Sequence, residues 1–173
     1  MSGANATVDA ILDEWRDALG AAHDPYRNHA QRVFHLARAH AGDERTLAVA
    51  AAFHDLGIWS DGTFDYLEPS VGRAADWLSD RGESSRLAAV AALIRFHHKL
   101  TPYRGPHAAA VEAFRRADLA DVSMGLIPGG LSRRDYRALR RRFPYLGFHR
   151  LLVRLTWREF RRRPLRPLPM LRW

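Results

Sequence analysis

Residues 47–57 read Leu-Ala-Val-Ala-Ala-Ala-Phe-His-Asp-Leu-Gly, an apolar run that leads directly into a histidine and an aspartate. A segment that is apolar on every side predicts a helix buried at the centre of a fold. His54 and Asp55 then lie in the last turn of that helix, where a polar or charged group is costly unless it is paired or bound to a cation. This stretch therefore predicts the central helix of the fold and one part of a functional site.

Helical periodicity continues on both sides of this stretch, and no convincing alternating strand pattern accompanies it. Asp24-Pro25 is typical of a helix start, and Gly57 is typical of a helix end. Residues 57–65 and 101–106 are predicted to be loops. The predicted helices cover residues 8–19, 24–41, 43–57, 70–81, 85–98, 107–122, 132–143 and 148–160. The predicted fold class is all-α, a compact single-domain helical bundle.

Composition limits the kinds of site that the chain can build. A length of 173 residues with 47% hydrophobic residues is sufficient for one domain with a substantial core. There is no cysteine, which excludes disulfides, thiolate zinc sites and cysteine nucleophiles. A metal site must therefore use imidazole and carboxylate ligands, which suits a divalent ion such as iron, manganese or zinc.

The net charge of +8 comes almost entirely from arginine, since Lys99 is the sole lysine. A basic surface attracts anions at long range, and a solvated basic face is the simpler interpretation. No nucleic-acid-binding motif accompanies the charge, so we expect a small-molecule anionic substrate and no specific nucleic acid. The N-terminus lacks the features of a signal peptide, and no run approaches the length of a membrane span. We expect a cytoplasmic protein without a membrane span, and a homo-oligomer is possible.

Two further polar residues lie in apolar surroundings on other predicted helices. His29 lies on the second helix, and Asp118 lies on the sixth among alanines and a phenylalanine. Neighbouring residues on a helix are about 100° apart, so His54 and Asp55 can flank one ion in the groove beside their helix. His29 and Asp118 can face the same groove. A separated histidine, a His-Asp doublet and a later aspartate are together far more specific than any one of them alone.

Three segments resemble the HD-domain superfamily of metal-dependent phosphohydrolases, whose defining pattern is His…His-Asp…Asp. Residues 26–33 (Tyr-Arg-Asn-His-Ala-Gln-Arg-Val) resemble the helix that carries the first ligand of that family. Residues 50–57 (Ala-Ala-Ala-Phe-His-Asp-Leu-Gly) resemble its signature doublet, and residues 114–121 (Phe-Arg-Arg-Ala-Asp-Leu-Ala-Asp) resemble the helix with its closing aspartate. The resemblance covers about residues 26–122. It implies one HD-type domain over residues 1–173, with a core at about 24–122 and a helical extension with a basic, proline-rich tail at about 131–173.

The resemblance implies that His29, His54, Asp55 and Asp118 bind a catalytic divalent metal ion. Asp121, one helical turn further along, is a less favoured substitute for Asp118. As a residue outside the ligand set, Asp121 can orient a ligand or a water molecule.

The sequence does not decide between a site with one metal ion and a site with two. Some HD enzymes bind two ions with the help of additional histidines, and His97 and His98 resemble the later histidine position of that arrangement. The chain has no histidine between Asp55 and His97. Glu68 can replace it as a bridging carboxylate, or it can simply be an acid favoured by a helix N-terminus. His97 and His98 can instead bind substrate or relay protons.

Cationic side chains close to these ligands are candidates for binding an anionic substrate. Lys99 directly follows the histidine pair, Arg95 precedes it, and Arg32 lies one turn from His29. An ammonium or guanidinium group beside a metal suits phosphoryl oxygens. Lys99 is also a candidate catalytic residue that balances developing charge. Asp121 and Glu68 are the candidates that position or deprotonate water.

The leading functional hypothesis is phosphoester hydrolysis of a small molecule or nucleotide by metal-activated water. No glycine-rich phosphate loop is present, so a P-loop enzyme is not predicted. An HD-type di-iron oxygenase is one alternative. A cyanamide-hydratase-like lyase is another, because residues 28–34 (Asn-His-Ala-Gln-Arg-Val-Phe) are also similar to the corresponding helix of those enzymes. A helical scaffold that binds an anionic ligand without turnover is the non-enzymatic alternative.

Residues 151–160 (Leu-Leu-Val-Arg-Leu-Thr-Trp-Arg-Glu-Phe) are apolar on one side and basic on the other. The favoured prediction is that this segment closes the back of the bundle, with the tail lying over it. Packing on an anionic membrane or on a partner helix is the alternative.

Overall fold

The computed structural model describes residues 3–40, 43–165 and 168–171, and within them it contains helices and no β-strand. Two short 3₁₀ turns, Gly20–Ala22 and Ser84–Arg86, precede α3 and α7. The predicted all-α fold is confirmed. The α-helices are α1 (Gly3–Glu14), α2 (Arg16–Leu19), α3 (His23–Arg38), α4 (Glu44–Phe53), α5 (Gly57–Ser60), α6 (Leu67–Ser79), α7 (Leu87–Phe96), α8 (Ala108–Val122), α9 (Arg133–Arg142) and α10 (Phe148–Arg162).

Helix α4 is the central helix, as its apolar sequence predicts. All of its residues from Thr46 to Phe53 are buried, and it packs against α1, α3, α6 and α7. The Asp43 side chain caps its first turn by accepting hydrogen bonds from the backbone N–H groups of Arg45 and Thr46. This contact satisfies two of the amide donors that a helix start leaves without a partner.

The end of α4 differs from the prediction. The helix ends at Phe53, His54 and Asp55 lie in the turn that follows, and Gly57 begins the short α5 in the segment predicted to be a loop. The backbone N–H of Gly57 donates to the Ser70 hydroxyl over 3.0 Å. A β-carbon at Gly57 would lie 2.7 Å from the carbonyl oxygen of Tyr66, so close packing on the start of α6, rather than helix capping, requires glycine here.

The single helix predicted over residues 8–19 also differs from the structure. The first helix is interrupted at Trp15 and continues as α2 and a 3₁₀ turn, and α3 begins at His23. The predicted end of the second helix at Ala41 lies outside the described residues, as do residues 166–167 and 172–173 of the predicted tail.

The C-terminal extension joins the main core through one side of its two helices. Ser132 caps α9 as predicted, by accepting from the backbone N–H of Asp135. Buried aromatic and aliphatic side chains of this region that join the main core are Tyr136, Leu139, Phe143 and Phe148. A smaller cluster surrounds the tail residue Met170 and includes Ile58, Phe64, Tyr66 and Leu67.

The prediction that residues 151–160 close the back of the bundle holds for only part of that segment. Leu152 packs on the main core and Leu155 on the smaller cluster, whereas Val153, Trp157 and Phe160 face solvent. Within the described residues, no helix has the length and apolar character needed to cross a membrane.

Candidate metal centre

Four parts of the fold bring the predicted ligands together at one buried point. His29 comes from α3, Asp118 from α8, His97 from the residue after α7, and His54 and Asp55 from the turn after α4. The most exposed of these five residues shows only 5% of its surface to solvent. The local reason is the packing of α3 against both α4 and α8, which places a polar residue of each element at the shared interface.

Three of the four predicted ligands, His29, His54 and Asp55, bring ligand atoms within 4.8 Å of one another, and Asp118 lies within 3.9 Å of both histidines. His29 Nε2 lies 3.0 Å from His54 Nε2, 3.4 Å from Asp118 Oδ1 and 3.9 Å from Asp55 Oδ2. His54 Nε2 lies 3.5 Å from Asp55 Oδ2 and 3.9 Å from Asp118 Oδ1. Ligand atoms about 2.1 Å from one ion lie no more than roughly 4.2 Å apart, so all these distances fit a single ion.

The other ring nitrogen of each histidine fixes which nitrogen faces this point. His54 Nδ1 donates to the carbonyl oxygen of Ala51 over 2.9 Å, and His29 Nδ1 lies 2.8 Å from the Asp121 carboxylate, which is also an acceptor. Both Nδ1 atoms therefore carry the hydrogen, and both Nε2 atoms present lone pairs in the neutral rings. Two lone pairs 3.0 Å apart repel each other, so a proton or a metal ion has to lie between them.

A second group of ligands adjoins the first. Asp55, His97 and His98 also bring ligand atoms within 4.8 Å of one another. The Nε2 atom of His97 lies 3.4 Å from Asp55 Oδ1, and its Nδ1 donates to the carbonyl oxygen of Ile94 over 2.7 Å. The Nδ1 atom of His98 lies 3.7 Å from Asp118 Oδ2. Asp55 belongs to both groups, whereas Asp118 lies within 4 Å of a histidine of each group but outside both sets of mutually close ligand atoms.

Three buried atoms of these groups have no hydrogen-bond partner among the described residues: Asp55 Oδ1, His97 Nε2 and Asp118 Oδ1. A buried polar atom without a partner costs about 1–3 kcal/mol or more if charged, and folded proteins contain few of them. Two carboxylate oxygens and one imidazole nitrogen are suitable ligands for iron, manganese or zinc. The orphaned atoms and the donor set therefore fit a divalent metal ion.

The carboxylates of the centre favour positive charge on His29. Although burial opposes charge on this imidazole, the neighbouring carboxylates of Asp118 and Asp121 raise its pKa to about 9. Burial alone would raise the pKa of the Asp55 carboxyl, but His54 and His97 hold it well below its usual range. The carboxylates therefore outweigh desolvation at His29, whereas burial lowers the pKa of His54 and His98 to about 4 and keeps these imidazoles neutral, which is the form that binds a metal ion.

Asp121 lies outside this set of ligand atoms. Its carboxylate receives hydrogen bonds from Arg32 Nε over 2.6 Å and Arg32 Nη2 over 2.8 Å, in addition to the contact with His29. Burial opposes ionisation, but His29 and Arg32 lower the pKa of the Asp121 carboxyl to about 2. Asp121 is therefore an anion that orients His29. Arg32 is fully buried, and Nη1 donates to the carbonyl oxygens of Phe143 and Pro144, so the structure places it behind Asp121 and not at a substrate surface.

The other predicted residues lie beside the cluster. Glu68 and Arg95 form a two-pronged ion pair, with Arg95 Nε and Nη2 donating to the carboxylate over 2.9 and 2.8 Å. Neither belongs to the groups of possible metal ligands found among the described residues. Lys99 follows His98 directly and is partly exposed.

Three aromatic residues contribute to the centre in ways that sequence reasoning did not identify. The Tyr26 hydroxyl donates to the carbonyl oxygen of Ala52 over 3.0 Å and accepts from the backbone N–H of Asp55, so it fixes the turn that carries the doublet. The Tyr66 hydroxyl lies 2.7 Å from His98 Nε2. Phe148 stacks on the His29 ring, with centroids 4.2 Å apart and planes at 17°.

The sequence offered little to identify these aromatic residues. Tyr26 precedes His29 by three positions, which places it on the same side of α3 and is a usable signal. Tyr66 and Phe148 are distant in sequence from the residues that they contact.

No protein-family model matches the chain, and no curated protein or solved structure matches it significantly.

Proposed function

We propose that this protein is a metal-dependent hydrolase of the HD-domain type that cleaves phosphoester bonds in a small anionic molecule. The observation that carries the proposal is the 3.0 Å approach of His29 Nε2 to His54 Nε2 with both Nδ1 hydrogens donated elsewhere. Two carboxylates lie within 3.9 Å of this pair of nitrogens. The resemblance of three segments to HD-domain sequences supports the same assignment.

The proposed centre has room for two ions. His29 and His54 would hold the first and His97 and His98 the second, with the carboxylates of Asp55 and Asp118 between them. His98 Nδ1 would be free to act as a ligand when its Nε2–H donates to the Tyr66 hydroxyl. Burial and the Asp55 charge hold the pKa of Tyr66 well above its usual range, so the hydroxyl keeps its proton.

When bound, a divalent ion lowers the pKa of a water molecule toward neutrality and polarises a phosphoryl oxygen. The protein supplies the orientation of the ligands. Arg32 holds Asp121, and Asp121 holds His29 by its Nδ1–H. Such outer contacts fix ring orientation and raise the basicity of the ligand.

Substrate enters beside His98 in this proposal, because 22% of the His98 side chain is exposed whereas the His29, His54 and His97 side chains are fully buried. Lys99, the next residue, neutralises phosphoryl oxygens. The Glu68–Arg95 ion pair and the Tyr66–His98 contact join the same two segments, residues 66–68 and 95–98. This ion pair keeps the entrance in place, and Glu68 offsets the charge of Arg95 there.

A di-iron oxygenase is the second candidate function. The absence of a histidine between Asp55 and His97 counts against it in the sequence. The second group of ligands offers an answer to this objection, because His97 and His98 with the nearby carboxylates would hold a second ion without that residue.

Metal analysis of protein purified without chelators tests the proposal. We expect bound iron, manganese or zinc in the wild type and a loss of metal in His54→Ala and Asp55→Ala. His107→Asn is the matched control, since His107 is exposed and has a positive φ of 62°, which asparagine tolerates. Full metal content in both ligand variants would contradict every enzymatic version of the proposal.

Activity assays then separate the two candidates. Metal-dependent release of phosphate from nucleotides or from p-nitrophenyl phosphate supports the hydrolase. Oxygen consumption with the iron-loaded protein and a candidate substrate supports the oxygenase, and the hydrolase is then wrong.

A further inference from the structure

The outer side of α10 presents apolar side chains to solvent. Val153, Trp157 and Phe160 are 69%, 59% and 43% exposed. Their spacing of four and three residues places them on one side of the helix. We call these three residues the outer strip. The rings of Trp157 and Phe160 are stacked with centroids 5.7 Å apart, so the strip is one continuous apolar surface.

An edge of arginines runs beside the outer strip. At about 100° per residue, Arg150, Arg154 and Arg161 lie next to Trp157 around the helix, and we call them the arginine edge. All three are exposed, and none forms an ion pair with an acidic side chain in the described part of the chain. Glu159 is the sole acidic residue from position 148 onward, against eight arginines.

The single acidic residue of this region does not offset the arginine edge. Glu159 is only 7% exposed because it lies on the inner side of α10, where it pairs with Arg163 at 3.6 Å. The outer surface of α10 therefore combines uncompensated positive charge with exposed aromatic side chains.

The inner side of the same helix holds it firmly against the protein. Phe148 stacks on His29, and Leu155 packs against the cluster around Tyr66 and Met170. The outer strip is therefore held on a helix that the core already orders, and its exposure does not require the helix to detach.

We propose that α10 is an interfacial helix that binds the surface of an anionic lipid membrane. The outer strip enters the boundary between headgroups and acyl chains, and the arginine edge binds lipid phosphates. A helix with aromatic residues on one side and arginines beside them has the composition of such interfacial helices. The charge of the chain, +8 overall, is complementary to an anionic leaflet.

The same charges argue against a second copy of the chain as the occupant. Two-fold pairing through the outer strip would bring the two arginine edges close together, and like charges brought together at an interface oppose association. An anionic lipid surface instead satisfies the apolar strip and the charged edge at the same time. The proposal does not depend on the metal centre.

Sedimentation with lipid vesicles tests the proposal on the full-length protein. We expect binding to vesicles of mixed phosphatidylcholine and phosphatidylglycerol, weak binding to phosphatidylcholine alone, and a decrease in binding with added salt. Val153→Ser/Trp157→Ser removes two of the three apolar side chains of the strip, and we expect binding to fall by about 10-fold or more. The control is Leu126→Ser, which removes a still more exposed apolar side chain (83% exposed) from a loop before α9, and we expect it to leave binding unchanged.

The arginine edge needs its own comparison, because any loss of charge weakens electrostatic binding. Arg154→Gln/Arg161→Gln on α10 is compared with Arg133→Gln/Arg137→Gln on α9, which removes the same charge from another exposed helix. We expect the α10 pair to weaken vesicle binding by about 10-fold. Equal losses in both pairs would overturn the assignment to α10 and indicate attraction by net charge only.

A spectroscopic probe reports whether the strip enters the lipid. Because the chain has no cysteine, Val153→Cys and Leu126→Cys each carry a single attachment point for a polarity-sensitive dye. We expect a blue shift on addition of anionic vesicles at position 153 and none at position 126. No shift at position 153, or an oligomer in solution that Val153→Ser/Trp157→Ser dissociates, would overturn the proposal, and the oligomer would assign the strip to a second copy.

Discussion

Arg32 and Asp121 are 89 positions apart in sequence, and they form a two-pronged ion pair in which neither side chain has any solvent exposure. This pair lies directly behind His29, because the same carboxylate accepts from His29 Nδ1. The stability of the fold and the orientation of a proposed ligand therefore depend on one contact.

Breaking this pair from either side should destabilise the protein. Arg32→Met leaves Asp121 without its strongest partner, and Asp121→Asn leaves a buried guanidinium without its anion, so we expect each to lower the free energy of unfolding by about 3–5 kcal/mol. Urea unfolding measures the change. The control is Arg116→Met, since Arg116 is 66% exposed and 3.6 Å from Glu112, for which we expect less than about 1 kcal/mol. An Arg32→Met protein as stable as wild type would show that the pair has no net effect.

The number of bound ions should depend on which histidine is removed. We expect wild-type protein to bind about two divalent ions and His97→Ala to bind about one, because the first group of ligands is complete without His97. We expect His54→Ala to lose the first ion. Elemental analysis with parallel circular dichroism measures metal content and folding in the same samples. Equal metal content in wild type and His97→Ala would support a single-ion centre.

Replacing Gly57 by alanine should lower the free energy of unfolding, whereas the same replacement of Gly72 should not. Gly57→Ala places a β-carbon 2.7 Å from the backbone oxygen of Tyr66 and 3.0 Å from Pro69 Cβ, so we expect a loss of about 1–3 kcal/mol as α5 and α6 separate. Gly72→Ala is the matched change within α6, where the new β-carbon would meet no atom within 4 Å apart from its chain neighbours and the backbone of its own helix. We expect it to stabilise the helix by about 0.5–1 kcal/mol. Thermal and urea unfolding measure the stability of the two variants. Equal changes in the free energy of unfolding for both variants would contradict the packing argument.

His35 should contribute a pH dependence to stability. Burial, with Arg38 and Arg142 nearby, lowers the pKa of its imidazole from 6.5 to about 4. Between pH 6.5 and pH 4 the His35 imidazole is protonated in the unfolded chain and neutral in the folded protein. Proton uptake by the unfolded chain therefore lowers the free energy of unfolding as the pH falls from 6.5 toward 4, and above pH 6.5 this loss is absent. Urea unfolding of wild type and His35→Leu at several pH values measures the effect. We expect the difference between them to change across this window, and a constant difference would show that the pKa is not lowered.

The sequence predicted the fold class and the position of most helices because both depend on local patterns. Apolar periodicity located α3, α6, α7 and α8, and Ser132 correctly marked the start of α9. The predicted end of α4 at Gly57 was wrong because this glycine is required by its packing on the start of α6. A sequence pattern does not distinguish such a glycine from one that ends a helix. The break at Trp15 had no local signal.

The candidate site was predictable to the extent that its residues form a motif. The histidines and aspartates at positions 29, 54, 55, 97, 98 and 118 do meet in the structure, and their roles as ligands stay a prediction. The placement of Arg32 behind Asp121, and the contribution of Tyr66 and Phe148, depend on pairs of residues that are distant in sequence. Tertiary packing brings such pairs together, and no regular spacing in the sequence indicates them.

The stacking of Phe148 on His29 decides where this protein can be shortened. The segments that resemble the HD family end at about residue 122, so a fragment designed from that resemblance would end before α10. It would lack the ring that shields the first imidazole and would admit bulk water to the back of the centre. The smallest useful fragment therefore has to extend at least through the beginning of α10, and a trimmed version that fails to bind metal says nothing about the intact chain.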